Sequence, residues 1–197
     1  MRARMRFLAP KAAAALTLAG CATTDSQYPN GTVPVHGSTI VFSSIDALTE
    51  ASDLVFIGTV TNVIESGFDA APETEDFLGH QFLAAIVRID ELLYGTATDT
   101  TVAVRWFGYD VGSDGTKGPQ HIIDGEHPPK VGDTNLWFIK TGLPGGYNAI
   151  TGGEGRVDIN DQDGGLTLTG SYDSGAEREI EAVDISTLRA LLQGLSG

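Results

Sequence analysis

Apolar and polar positions alternate in blocks that mark out most of this chain. Ser43 and Ser44 precede Ile45, Ala47, Leu48 and Ala51, and Ser43 stands three residues before Asp46, the spacing of a capping box with Asp in place of Glu. This predicts a short helix over roughly residues 43–52. From Asp53 to Ser66 the chain is dominated by Val, Ile, Phe and Thr, a strand, with Gly58 marking a bulge or sharp bend. Residues 67–80 are acidic and turn-rich and read as a loop. Gln81 to Gly95 favours a strand at Ile86, Val87 and Ile89, with a single helical turn over Glu91–Tyr94. Val102, Val104 and Trp106 alternate with Thr101, Ala103 and Arg105, so this stretch is a strand.

Residues 108–129 carry Gly108, Gly112, Gly115, Gly118 and Pro119 before the Pro128–Pro129 pair and read as one long loop, the kind that sometimes carries function. Lys130–Asp133 turns into an apolar strand at Asn135–Lys140. Short strands follow at Tyr147–Ile150, Gly155–Ile159 and Leu166–Thr169, with a hairpin-type turn at Asn160–Gly165. Ile185, Leu188, Leu191 and Leu192 repeat at helical spacing between an N-cap at Asp184 and a stop at Gly194. The pattern predicts one mostly β domain over residues 39–197, with a short N-terminal helix and a C-terminal helix packed on the sheet.

The first residues differ from the rest. Residues 1–20 place Arg2, Arg4, Arg6 and Lys11 ahead of a short apolar run from Ala12 to Ala19, followed by small residues, the layout of a secretory signal. That run falls short of the roughly 20 residues a membrane-spanning helix needs. Leu18-Ala19-Gly20-Cys21 resembles the lipobox of bacterial prolipoproteins. The resemblance implies cleavage before Cys21 and a diacylglyceryl group on its thiol, hence a stable lipid anchor, and Ala22 implies the outer membrane if the host has two. Residues 22–38 lack apolar periodicity and are rich in Thr, Ser, Asn, Gly and Pro, so with Cys21 they read as a flexible tether in which His36 is exposed. Fully extended it reaches on the order of 55 Å.

Inside the domain, Ala51-Ser52-Asp53 leads into Leu54–Val60. Val87–Gly95, Thr101–Val104, Lys130–Asp133 and Leu136–Phe138 then follow in order. This succession resembles secreted bacterial domains built on a TIMP-like (netrin-type) OB barrel, over about residues 43–140. The resemblance implies an OB-like barrel. It does not bring the zinc-directed inhibition of animal TIMP-like proteins, which uses a free N-terminal cysteine, whereas Cys21 would be lipidated and distant.

Charge narrows the partners. The whole chain carries a net −14; without its signal, 8 basic residues would face 26 acidic ones, a charge of −18. Such a surface repels nucleic acid and anionic headgroups. Cys21 is the only cysteine, so no disulfide can form within the chain and its core must stabilise it.

Candidate chemistry is sparse. His121 and His127 flank Asp124 and Glu126, residue types that ligate transition metals, but the spacing matches no known zinc pattern. Asp158, Asn160, Asp161 and Asp163 hint at a calcium loop, yet an EF-hand register puts Gln162 and Asp163 at its fifth and sixth positions and Thr169 where a glutamate belongs. Gly152-Gly153-Glu154-Gly155 lacks the Lys and Ser/Thr of a phosphate cradle, and no Gly-x-Ser-x-Gly elbow occurs. Trp106, Phe107 and Tyr109 lead into the long loop; alternation puts Trp106 in the core and leaves Tyr109 the most exposed of the three. These features point to a membrane-anchored envelope lipoprotein whose domain is a non-enzymatic binding module, needing neither cofactor nor metal, with a protein or glycan of the envelope as partner. Its binding face would include residues 108–129. The rival readings are an envelope hydrolase using a metal on His121 and His127, and a purely structural lipoprotein.

Overall fold

A computed structural model describes residues 32–35, 40–72, 77–159, 164–170 and 172–195. Its elements are β1 (Thr32–Val35), α1 (Ile45–Ala51), β2 (Leu54–Ala70), β3 (Phe77–Gly95), β4 (Thr101–Gly112), β5 (Lys117–Ile123) and β6 (Thr134–Leu143). After a tight turn at Pro144–Gly146 come β7 (Tyr147–Ile150), β8 (Arg156–Ile159), β9 (Leu166–Leu168), α2 (Gly175–Glu181) and α3 (Ile185–Leu195). The chain is mostly β, as its pattern predicts. None of the helices among the described residues is long and apolar enough to cross a membrane.

The strand pairings close a ring. β4, β3, β2 and β6 lie side by side and antiparallel, β6 pairs with β7, and β7 meets β4 in parallel at Val104–Asn148. The β8–β9 pair extends the sheet from β6, while β5 and then β1 extend it from the far half of β4.

The ring separates two cores. Leu54, Phe56, Val60, Ala85, Val87, Val104, Trp137 and Ile139 fill its inside. Val55, Ile57, Leu93, Leu136 and Phe138 point outward, where Leu48, Ile180, Leu188 and Leu192 of the three helices cover them. Both faces of β2 and β6 are therefore buried near the ring, which accounts for unbroken apolar runs where a half-exposed strand would alternate. Gly58 sits at a register shift, as expected, because a Cβ there would lie 2.6 Å from the carbonyl oxygen of Arg88. Trp137 Nε1 donates to the Gly58 carbonyl at 3.1 Å. Outside, Arg189 of α3 grips Glu91 of β3 through two nitrogens, at 2.9 and 2.6 Å.

Several expectations shift. The N-cap of α1 is Ser44, whose Oγ accepts from Ala47 N–H, one residue later than Ser43. Glu91–Tyr94 is strand, without a helical turn. Residues 67–70 and 77–80 continue β2 and β3 as one long hairpin, so the predicted loop there is mostly ladder. Residues 108–129 are largely strand too: β4 runs to Gly112, turns, and returns as β5. Thr32–Val35 lies parallel to β5, so the chain joins the sheet inside the stretch expected to be tether. Helix α2 was not expected. Its signal is Ser174 and Glu177, a reciprocal capping box. Asp184 does cap α3, accepting from Thr187 N–H at 2.7 Å. The signal, Cys21, Ala22, His36 and the turn residues Asn160–Asp163 lie outside the described residues.

Candidate functional site

Beyond Thr59, β2 loses β6 as a neighbour, and β2, β3 and β4 run on past the ring. This extension carries a row of rings. Phe77 lies 5.0 Å from His80, His80 4.8 Å from Phe107, Phe107 5.1 Å from Phe82, and His121 stacks on Phe107 at 5.3 Å. Antiparallel register sets this up by placing Phe82 opposite Phe107 and His80 opposite Asp110. Asp110 joins the two imidazoles, with Oδ1 2.6 Å from His80 Nδ1 and Oδ2 3.4 Å from His121 Nε2.

His121 also faces inward. With Trp106, Phe107, Ile123, Glu126, His127, Pro128 and Pro129 it lines a cavity of about 30 Å³. Two polar atoms of these lining residues, His121 Nδ1 and Trp106 Nε1, are buried without a hydrogen-bond partner. The space admits one or two water-sized molecules. The segment that closes it is positioned by Asp124-Gly125, both at positive φ (50° and 82°), with Glu126 N–H donating to the Ile123 carbonyl at 2.9 Å. That is a type I′ turn, which Asp-Gly favours.

Behind the cavity, charge is buried. Arg156 of β8 is 3% exposed; its Nη2 donates to the His127 carbonyl, and its Nε is 3.7 Å from Glu126 Oε1, too long for a hydrogen bond. Glu154 is fully buried, with Oε1 accepting from Phe42 N–H at 3.0 Å and Oε2 unpartnered. Burial raises the Glu126 carboxyl above its ordinary value, with Arg156 opposing. Burial, then the charge of Glu126, likewise pushes up the Tyr172 hydroxyl.

The raised Glu126 has a testable sign. The folded state holds a proton that the unfolded carboxyl releases, so this stability is full below the unfolded value and is lost as pH rises through the folded one. Glu126→Gln imitates the protonated acid. It should leave stability in acid unchanged, raise it towards neutrality, and flatten the dependence of the urea midpoint above the ordinary glutamate range of about pH 4. Parallel curves for the two proteins would show that folding does not raise Glu126.

The residues singled out in the sequence meet only in part. His121, Glu126 and His127 share the cavity, but no group of three or more His, Cys, Asp or Glu among the described residues is arranged to hold a metal. Tyr109, expected to be exposed, is 9% exposed, and its hydroxyl donates to Glu65 at 2.6 Å. Trp106 is partly buried against the inner core, as its alternation implies. Sequence reasoning passed over His80, Asp110, Arg156 and the burial of Glu154. Their grouping is set by pairing between distant strands, and only the Asp-Gly turn left a local trace.

Comparison with known proteins gives no relative: no known family matches the chain, and neither a curated protein nor a solved structure does.

Proposed function

We propose that this protein is a lipid-anchored lipoprotein of the cell envelope, held through Cys21, whose domain is a non-enzymatic binding module. Its working surface is the extension of β2, β3 and β4 beyond the ring. The observation that carries this reading is the cavity between His121 and Glu126. Those two groups could serve acid–base chemistry, yet about 30 Å³ leaves no room for a substrate beside them. The ring row of the extension, with His80 about one-third exposed, offers a surface instead. The ring order β2-β3-β4-β7-β6, with β4 and β7 parallel, supports an OB-like fold, to which β1, β5, β8 and β9 are additions.

The test is photo-crosslinking in intact cells. A photoreactive residue in place of His80 or Leu78 should capture one envelope protein or glycan. The same residue in place of Glu50, on α1, should not. Equal capture from both sites, or none from either, would overturn the reading.

A further inference from the structure

We infer that the free edge of β2, from Thr61 to Ala70, docks an extended peptide, and that Arg105 receives a carboxylate of that peptide. This rests on the binding-module reading and gives it a ligand class. On the β6 side, the last backbone bonds of β2 are Val60 N–H to the Asp133 carbonyl and Gly132 N–H to the Val60 carbonyl. From Thr61 onward β2 pairs with β3 alone among the described residues. Outward N–H and C=O groups are a template for strand addition; on this stretch Val63 N–H donates to Asn62 Oδ1 at 2.9 Å and is the one a docked strand would have to displace or bypass. Register shifts at Val60/Asn62 and Glu65/Gly67 divide the edge into short stretches, which limits the docked strand to a few residues. Ile64 and Phe68 are 37% and 50% exposed, giving such a strand apolar contacts.

Charge decides the occupant. Arg88, Arg156, Arg178 and Arg189 each have a carboxylate within 4.0 Å. Arg105 has none among the described residues. Its guanidinium lies 4.0 Å over the Phe82 ring and 5.9 Å from Tyr147, and its buried Nε has no hydrogen-bond partner. From β4 it reaches across β3 to β2, where a Cβ on Gly67 would stand 2.9 Å from Nη2. Of the two acids on this stretch, Glu65 is taken by Tyr109 and Lys117, and Asp69 is exposed and forms no ion pair with Arg105. Among the described residues of this acidic chain, Arg105 is a planar fork without an ion-paired carboxylate, beside a strand edge without a neighbour. That fork fits a carboxylate through two parallel N–H bonds.

The test uses the full-length protein on an array of N-terminally tethered hexapeptides of alternating apolar and polar residues, each made as free acid and as C-terminal amide. Free acids should bind about tenfold more tightly than their amides. Arg105→Gln should abolish that preference and Arg105→Lys should keep part of it. The best free acid should slow hydrogen exchange of the Thr61–Ala70 amides in the wild type, a readout that does not depend on any variant folding. Equal binding of acid and amide, or a preference that survives Arg105→Gln, overturns the role of Arg105. No hexapeptide binding alongside capture at His80 overturns the peptide and leaves the binding module standing; failure of both removes both.

Discussion

Arg156→Met is expected to cost about 3–5 kcal/mol of folding stability, a large share of what a domain this size has. Arg156 is nearly inaccessible and is the cation beside Glu126, and its Nη2 serves the His127 carbonyl. Methionine fills similar space but removes the charge, so the largely buried Glu126 loses its cation and the part-buried His127 carbonyl loses its donor. The loss comes from what stays behind: adding Glu126→Gln to Arg156→Met should recover part of it, with a coupling of about 0.5–3 kcal/mol between the sites. The deficit should also shrink in acid, because a carboxyl without its cation favours the protonated form still more strongly when folded. Urea unfolding followed by circular dichroism measures all three. A loss within about 0.5 kcal/mol, that of an ordinary surface substitution, would mean the charges are solvated and the cluster is not a buried one.

Cys21→Ser is expected to move the protein from the membrane to the soluble fraction. The anchor we propose is two acyl chains on this thiol, and each buried methylene contributes about 0.8 kcal/mol, so loss of the sulfur removes the whole attachment. None of the helices among the described residues is long and apolar enough to cross a membrane, and a chain of net charge −14 is repelled by anionic headgroups. Fractionation combined with metabolic labelling by a radioactive fatty acid gives the answer. Wild type should be labelled and sedimenting, Cys21→Ser unlabelled and soluble. A Cys21→Ser variant that still sediments with unchanged label would refute lipidation at this residue. One that loses label yet still sediments would instead show the domain holding a membrane partner, which is where the β2 edge would be tested next.

Much of the fold was legible wherever burial imposes a period. Leu54–Val60 and Leu136–Ile139 read as strands because both of their faces are buried, and α3 read as a helix because Leu188 and Leu192 turn one face to the outer core. Legibility failed where strands leave the core. Residues 67–70, 77–80 and 117–123 carry polar, acidic and glycine-rich sequence because the extension has little interior to fill, so turn residues looked like loop instead of hairpin punctuation.

The candidate site was less legible still. His121, Glu126 and His127 stood out as residue types, and the cavity does gather them. The partners that give them meaning come from elsewhere: His80 and Asp110 through the pairing of β3 with β4, Arg156 through β8, Arg105 by reaching across β3. By itself the sequence determined a mostly β domain with terminal helices, an acidic surface and no disulfide, since apolar periodicity, composition and a single cysteine are local or summed quantities. Only the tertiary structure decided which carboxylate meets which imidazole and, among the described residues, which arginine has no acid in reach and which strand edge has no neighbour. Strand register and sheet order bring together residues far apart along the chain, and no local pattern specifies that.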